Sequence, residues 1–158
     1  MNKKLFFFTN SFPYGIGELW KETELKHFAA RFDEVIVCPL FYGGKKPPKK
    51  LPEGVSCLPP LLKSDAMINR FKFGYLRHLL NPRIFYYCNE FFSKMVYRRK
   101  HWVITWLNEV IITERLMRSE TYKKLNHEAD KNHIVLYFFW GFGYTSMVPF
   151  LIRCGFAK

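Results

Sequence analysis

The stretch "KKLFFFTNSFPYGIGELW", residues 3–20, decides how this chain is built. Residues 5–9 are a short, continuous apolar run, the pattern of a strand buried on both faces. Proline and two glycines follow, so the chain turns there. From residue 18 to residue 32 the spacing becomes helical: Leu19, Glu22, Leu25, Lys26, Ala29 and Phe32 alternate roughly at that spacing, with Trp20 and Phe28 widening the apolar side. Strand, glycine loop and helix in that order make the first half of a parallel crossover unit.

The rest of the chain repeats the theme. "DEVIVCPL" carries a β-branched run after an acidic turn, which predicts a second strand over 34–38. "GGKKPPKKLP", residues 43–52, excludes regular structure and reads as an exposed basic loop. A short third strand is expected over 55–58. Residues 65–125 form a helical excursion rich in basic and aromatic residues, broken at Asn81-Pro82 and ending in one helix over 102–125. "HIVLYFFW" then predicts a fourth buried strand over 133–139, and "GFGYTSMVPFLIRCG" returns to helix, kinked or shifted by Pro149. With right-handed crossovers the expected fold is α/β. It is a Rossmann-like parallel sheet of order 3-2-1-4, with helices on both faces and a helical insertion between strands three and four. The fourth strand has no expected outer neighbour, a hazard for an apolar strand. This favours two expectations: that residues 1–158 are one N-terminal domain of something longer, and that copies associate through that edge.

The bulk composition suits a folded domain of 158 residues: 49% hydrophobic and 24% charged. Its formal net charge of +12 favours anionic partners, whether a bilayer, a phosphorylated ligand or nucleic acid. No nucleic-acid-binding signature accompanies the charge, so nucleic acid is not the expected partner. Cys38, Cys57, Cys88 and Cys154 form no CxxC pair and read as free thiols in a reducing compartment. No secretory leader or spanning helix is evident, so the expected location is the cytoplasm, with peripheral attachment to the inner face of the membrane.

Three features are candidates for function. In the first loop, Pro13, Tyr14, Gly15, Gly17 and Glu18 lie where open α/β sheets bind ligands, and a helix N-terminus beside glycine can hold phosphate. A GxG without a third glycine is equally a tight turn feeding a helix. A second strand-to-helix junction, Trp140, Gly141 and Gly143, is expected beside the first and would close a cleft with it. Along the helical excursion, Arg70, Lys72, Arg77, Arg98, Arg99 and Lys100 alternate with aromatics. That composition fits either a basic amphipathic surface facing an anionic leaflet or aromatics in a core beneath a solvated face. No catalytic grouping, cofactor motif or metal motif is expected: the five histidines are scattered, and P-loop and nucleophile-elbow patterns are absent.

Together, "FPYGIGE", "FDEVIVCP" and "IVLYFFWGFGYTS" resemble the opening and the fourth-strand segment of bacterial GT-B fold glycosyltransferases of family 4. Phe12, Pro13, Tyr14, Gly15, Gly17 and Glu18 fit the family's first loop, and Trp140 and Gly143 its later one. The resemblance implies an N-terminal, acceptor-binding domain of an enzyme that moves a sugar from a nucleotide-sugar to a lipid-linked or polysaccharide acceptor in cell-surface glycan synthesis. The family's donor-binding domain has no counterpart in these residues, so the chain by itself is expected to be inactive. A non-enzymatic Rossmann-like module for a phosphorylated ligand or a protein partner is the alternative.

Overall fold

A computed structural model describes residues 2–14, 20–42, 50–62, 83–129 and 133–138. In chain order the elements are β1 (Lys3–Thr9), α1 (Lys21–Ala29), β2 (Glu34–Pro39), β3 (Val55–Cys57), α2 (Ile84–Ser93), a 3-10 turn (Val96–Arg98), α3 (Lys100–Leu116), α4 (Glu120–Ala129) and β4 (His133–Phe138). The four strands form one parallel sheet in the order β3-β2-β1-β4. Leu5 pairs with Val35 on one side and Val135 on the other, which places β1 at the centre. The expected α/β Rossmann-like architecture is the one observed.

β1 is central because both of its faces can be covered. Phe6 and Phe8 point to one side, where they meet Ile36, Cys38 and Leu40 beneath Ile112 and Leu116 of α3 and Leu125 of α4. Leu5 and Phe7 point to the other, with Val35 and Val37, beneath Leu25 and Phe28 of α1. Phe6, Phe7 and Phe8 are all fully buried. Each such ring contributes about 1.5–3 kcal/mol of transfer free energy relative to exposure. Phe8 also stacks on Phe138 of β4, with ring centroids 4.6 Å apart, and Phe7 lies 5.3 Å from Tyr137.

The start of the sheet is tied by polar contacts at its amino edge. The backbone N–H of Lys3 donates to Asp33 Oδ2 at 2.7 Å, and Asp33 N–H returns a bond to the carbonyl of Lys3 at 2.9 Å. β1 therefore begins at Lys3, two residues before its apolar run. Lys4 Nζ reaches Glu34 of β2 and Glu128 of α4, each at 2.8 Å.

The excursion differs from expectation in one respect. The single helix anticipated over 102–125 is two helices, α3 and α4. Ser119 makes the break: its hydroxyl donates to the carbonyl of Leu116 at 2.7 Å and accepts from the N–H of Tyr122 at 3.3 Å. A serine oxygen that satisfies an early helical N–H starts a new helix. The turn lets α3 and α4 both lie on the same sheet face. At the other end of α3, α2 is joined through Met95, whose φ of 51° is left-handed, and the 3-10 turn.

α2 and α3 have a small core of their own: Tyr87, Val96, Trp106 and Val110 are buried together. Within it, Glu114 is fully buried. Tyr87 donates to its Oε1 at 2.8 Å, and Arg83 donates to both of its oxygens at 3.2 and 3.3 Å. This carboxylate fastens the start of α2 to the last turns of α3, and hence to the sheet. Among the described residues no helix is long and apolar enough to cross a membrane, and no strand lies beyond β4. The basic loop at 43–49, the first part of the excursion and the helix expected after residue 140 lie outside the described residues.

Candidate functional site

The carboxyl edge of the sheet is organised by the segment that follows β1. Buried Thr9 donates its hydroxyl hydrogen to the carbonyl of Phe12 at 2.9 Å, which folds the chain back on itself. Tyr14 N–H closes the turn onto the carbonyl of Ser11 at 2.7 Å. The N–H groups of Leu40 and Phe41, just after β2, donate to Thr9 and Asn10. The loop is thus anchored to the neighbouring strand's exit before the glycines are reached.

Two of the expected ligand-facing residues, Pro13 and Tyr14, are among those described. Pro13 is buried. Tyr14 is half-buried; its ring lies 5.1 Å from that of Tyr42, and its hydroxyl is hydrogen-bonded with the Cys57 thiol of β3. Burial first, and then the neighbouring Cys57, raises the Tyr14 hydroxyl above its ordinary pKa. Burial pushes the Cys57 thiol up to about 11, against the opposing pull of the Tyr14 hydrogen bond. Tyr14 thus holds the loop onto the β2–β3 side. Gly15, Gly17 and Glu18, and Trp140, Gly141 and Gly143 of the second junction, lie outside the described residues.

Two ionisable residues at this end escaped the sequence reading. Lys21, the first residue of α1, is fully buried, its ammonium 5.4 Å from the centroid of the Phe7 ring and 5.5 Å from that of Trp20. One turn later, Glu24 keeps Oε2 buried without a hydrogen-bond partner among the described residues. The Tyr137 hydroxyl is raised above its ordinary pKa by burial and, second, by the charge of Glu24. A charged residue on an amphipathic helix ordinarily reads as solvated, and only the alignment of Lys21 with Leu25 at i, i+4 pointed inward.

Comparison with protein-family models, with curated proteins and with solved structures finds no match. The fold and its surfaces therefore carry the functional reading. Among the described residues no group of histidine, cysteine, aspartate and glutamate is arranged to hold a metal.

The second candidate surface is on the insertion. Arg98, Arg99 and Lys100 are exposed and consecutive, at the join between the 3-10 turn and α3. Around them the chain leaves large apolar groups in water: Phe92 is 64% exposed, Tyr97 52%, Met95 43% and Trp102 40%. Phe92 and Tyr97 are neighbours at 6.2 Å, and both rings contact Phe91, which itself packs on Trp106 of the small core. Arg99 lies over the Trp102 ring with its guanidinium carbon 5.0 Å from the centroid. The exposed rings are therefore set on a packed base and interleaved with cations. Scattered single apolar residues on a surface are ordinary, whereas a cluster of this kind marks a contact surface. Of the six basic residues expected to face a membrane, Arg98, Arg99 and Lys100 share this surface; Arg70, Lys72 and Arg77 lie outside the described residues.

Proposed function

We propose that this chain is the acceptor-side Rossmann-like domain of a GT-B type glycosyltransferase acting on a lipid-linked or polysaccharide acceptor, and that its helical insertion docks it on an anionic membrane surface. The observation that carries the docking is the joint exposure of Arg98, Arg99 and Lys100 with Phe92, Met95, Tyr97 and Trp102 at the junction of α2 and α3. Lysine and arginine near an anionic leaflet contribute about 1 kcal/mol each, and aromatic rings settle at the headgroup level. The net charge of +12 draws the whole domain to the same surface. The enzymatic part of the proposal rests on the resemblance of the loop after β1 and of the segment beginning in β4, and is supported by the parallel sheet whose central strand leads into that loop.

Co-sedimentation with vesicles of phosphatidylglycerol, at rising salt, tests the docking. The expected result is binding at low salt that weakens steadily as salt screens the charges. Protein that stays in the supernatant at low salt refutes it. For the enzymatic part, thermal stabilisation by a lipid-linked saccharide but not by nucleotide-sugars is expected of an acceptor-side domain. The reverse pattern would favour a module for phosphorylated ligands.

A further inference from the structure

Beside the basic surface is a cavity of about 260 Å³ between α2 and α3, lined by Glu90, Lys94, Val96, Trp102, Thr105, Trp106 and Glu109. Its chemistry is opposite to that of its rim. Lys94 answers Glu90 at 2.6 Å. Among the described residues Glu109 makes no hydrogen bond or ion pair; burial first, and then the Glu90 charge, raise its pKa, against the opposing charge of Lys94. Two indoles complete the wall. Trp106 is buried, and its N–H has no acceptor among the described residues; Trp102 is partly exposed and already takes the Arg99 guanidinium on its ring. Two carboxylates set against one lysine, beside aromatic faces, make a site for an organic cation: the excess carboxylate charge supplies the electrostatic attraction and the rings supply cation–π attraction. The rim supplies the complement: Arg99 lies over the Trp102 ring, and Arg98 and Lys100 flank it in the chain.

We infer that this cavity binds the ammonium group of an amine-bearing phospholipid headgroup, whose phosphate is met by the cations of the rim. The inference rests on the docking proposed above and deepens it, because one phospholipid headgroup presents an ammonium and a phosphate together. An uncharged sugar would leave the excess negative charge of Glu90 and Glu109 over Lys94 uncompensated, and an anion would be repelled by it.

Vesicles with a fixed fraction of phosphatidylglycerol test this, the remainder being either phosphatidylethanolamine or an uncharged diglycosyl diacylglycerol. Binding is expected to be about fivefold tighter with phosphatidylethanolamine. Glu109→Gln and Glu109→Lys should both remove that preference while retaining binding to phosphatidylglycerol. Equal binding to the two vesicle types overturns the headgroup site and leaves the docking standing. Tighter binding to the glycolipid overturns it in favour of a sugar site. Failure to bind either type overturns the docking and this inference together. Soluble phosphoethanolamine distinguishes a lipid headgroup from a free small molecule. Competition only at millimolar concentration is expected, whereas competition at micromolar concentration overturns the lipid assignment.

Discussion

Replacing Tyr87 by phenylalanine removes one oxygen from the base of the exposed aromatic surface. The ring is 1% exposed and its hydroxyl donates to Glu114 Oε1 at 2.8 Å, so water has little access to take its place. A hydrogen bond to a charged group contributes about 1.5–3 kcal/mol, and losing it beside a buried carboxylate costs the same order. Arg83 still donates to both Glu114 oxygens, so the charge is not left alone. That places the expected cost near 2 kcal/mol. For a chain of 158 residues this is about 4–8 °C in Tm. The assay is urea unfolding followed by circular dichroism, with the slope held as a check that only stability has changed. In a Glu114→Gln background the bond becomes neutral, and the same substitution should cost about half as much. A loss below about 0.5 kcal/mol, or equal losses in the two backgrounds, would refute the view that Glu114 clamps the insertion through a charge-assisted bond.

Two further outcomes follow from the ionisable groups. Glu34 is held below the usual carboxylate range by its bond with Lys4, aided by Lys124. Its stabilisation is therefore present above the unfolded value and lost as pH falls through the lowered one. Lys4 is raised, mainly by Glu128 and Glu34, so its share is present below about pH 10.5 and lost as pH rises through the raised value. Lys4→Met should cost about 1–2 kcal/mol at pH 7, from two partly buried pairs. It should also flatten the loss of stability between pH 5 and 3; an acid limb as steep as that of the unmodified protein would contradict the pairing. Separately, burial holds Cys38 well above the ordinary thiol range and Cys57 at about 11. At pH 8 only about a thousandth of Cys57 is then thiolate. Peptide-resolved alkylation of the folded protein should leave both unlabelled until denaturant is added, and rapid labelling of either would show that its strand is not packed as described.

The sheet was legible because its signals are redundant. Phe6, Phe7 and Phe8 have no polar alternation, which means burial on both faces, and parallel pairing then restricts the strand order. Element ends were less legible, because they depend on single polar atoms. Asp33 extends β1 back to Lys3, and Ser119 divides one apparent helix into α3 and α4. The buried carboxylate was missed although a signal was present. Leu107, Val110, Ile111 and Glu114 share one helical stripe, and a glutamate on an apolar stripe needs a donor from elsewhere. That donor, Tyr87, is 27 residues away, a distance over which a residue list gives no geometry. At the carboxyl edge, the sequence marked Tyr14 as part of a loop after β1 but not its packing against Tyr42 and its hydrogen bond with Cys57, which come from other strands' ends. For the basic surface, sequence showed the mixture of cations and rings, but only packing separates buried Tyr87 and Trp106 from exposed Phe92, Tyr97 and Trp102.

The most direct test of the docking compares two triple variants of equal net charge. One is Arg98→Ala, Arg99→Ala and Lys100→Ala, on the insertion surface. The other removes three exposed cations elsewhere: Lys26, Arg31 and Lys123. At about 1 kcal/mol per cation near the leaflet, the first should lose on the order of 100-fold in affinity for phosphatidylglycerol vesicles, and the second only a few-fold. Equal losses would mean that the overall charge, and not this surface, meets the membrane.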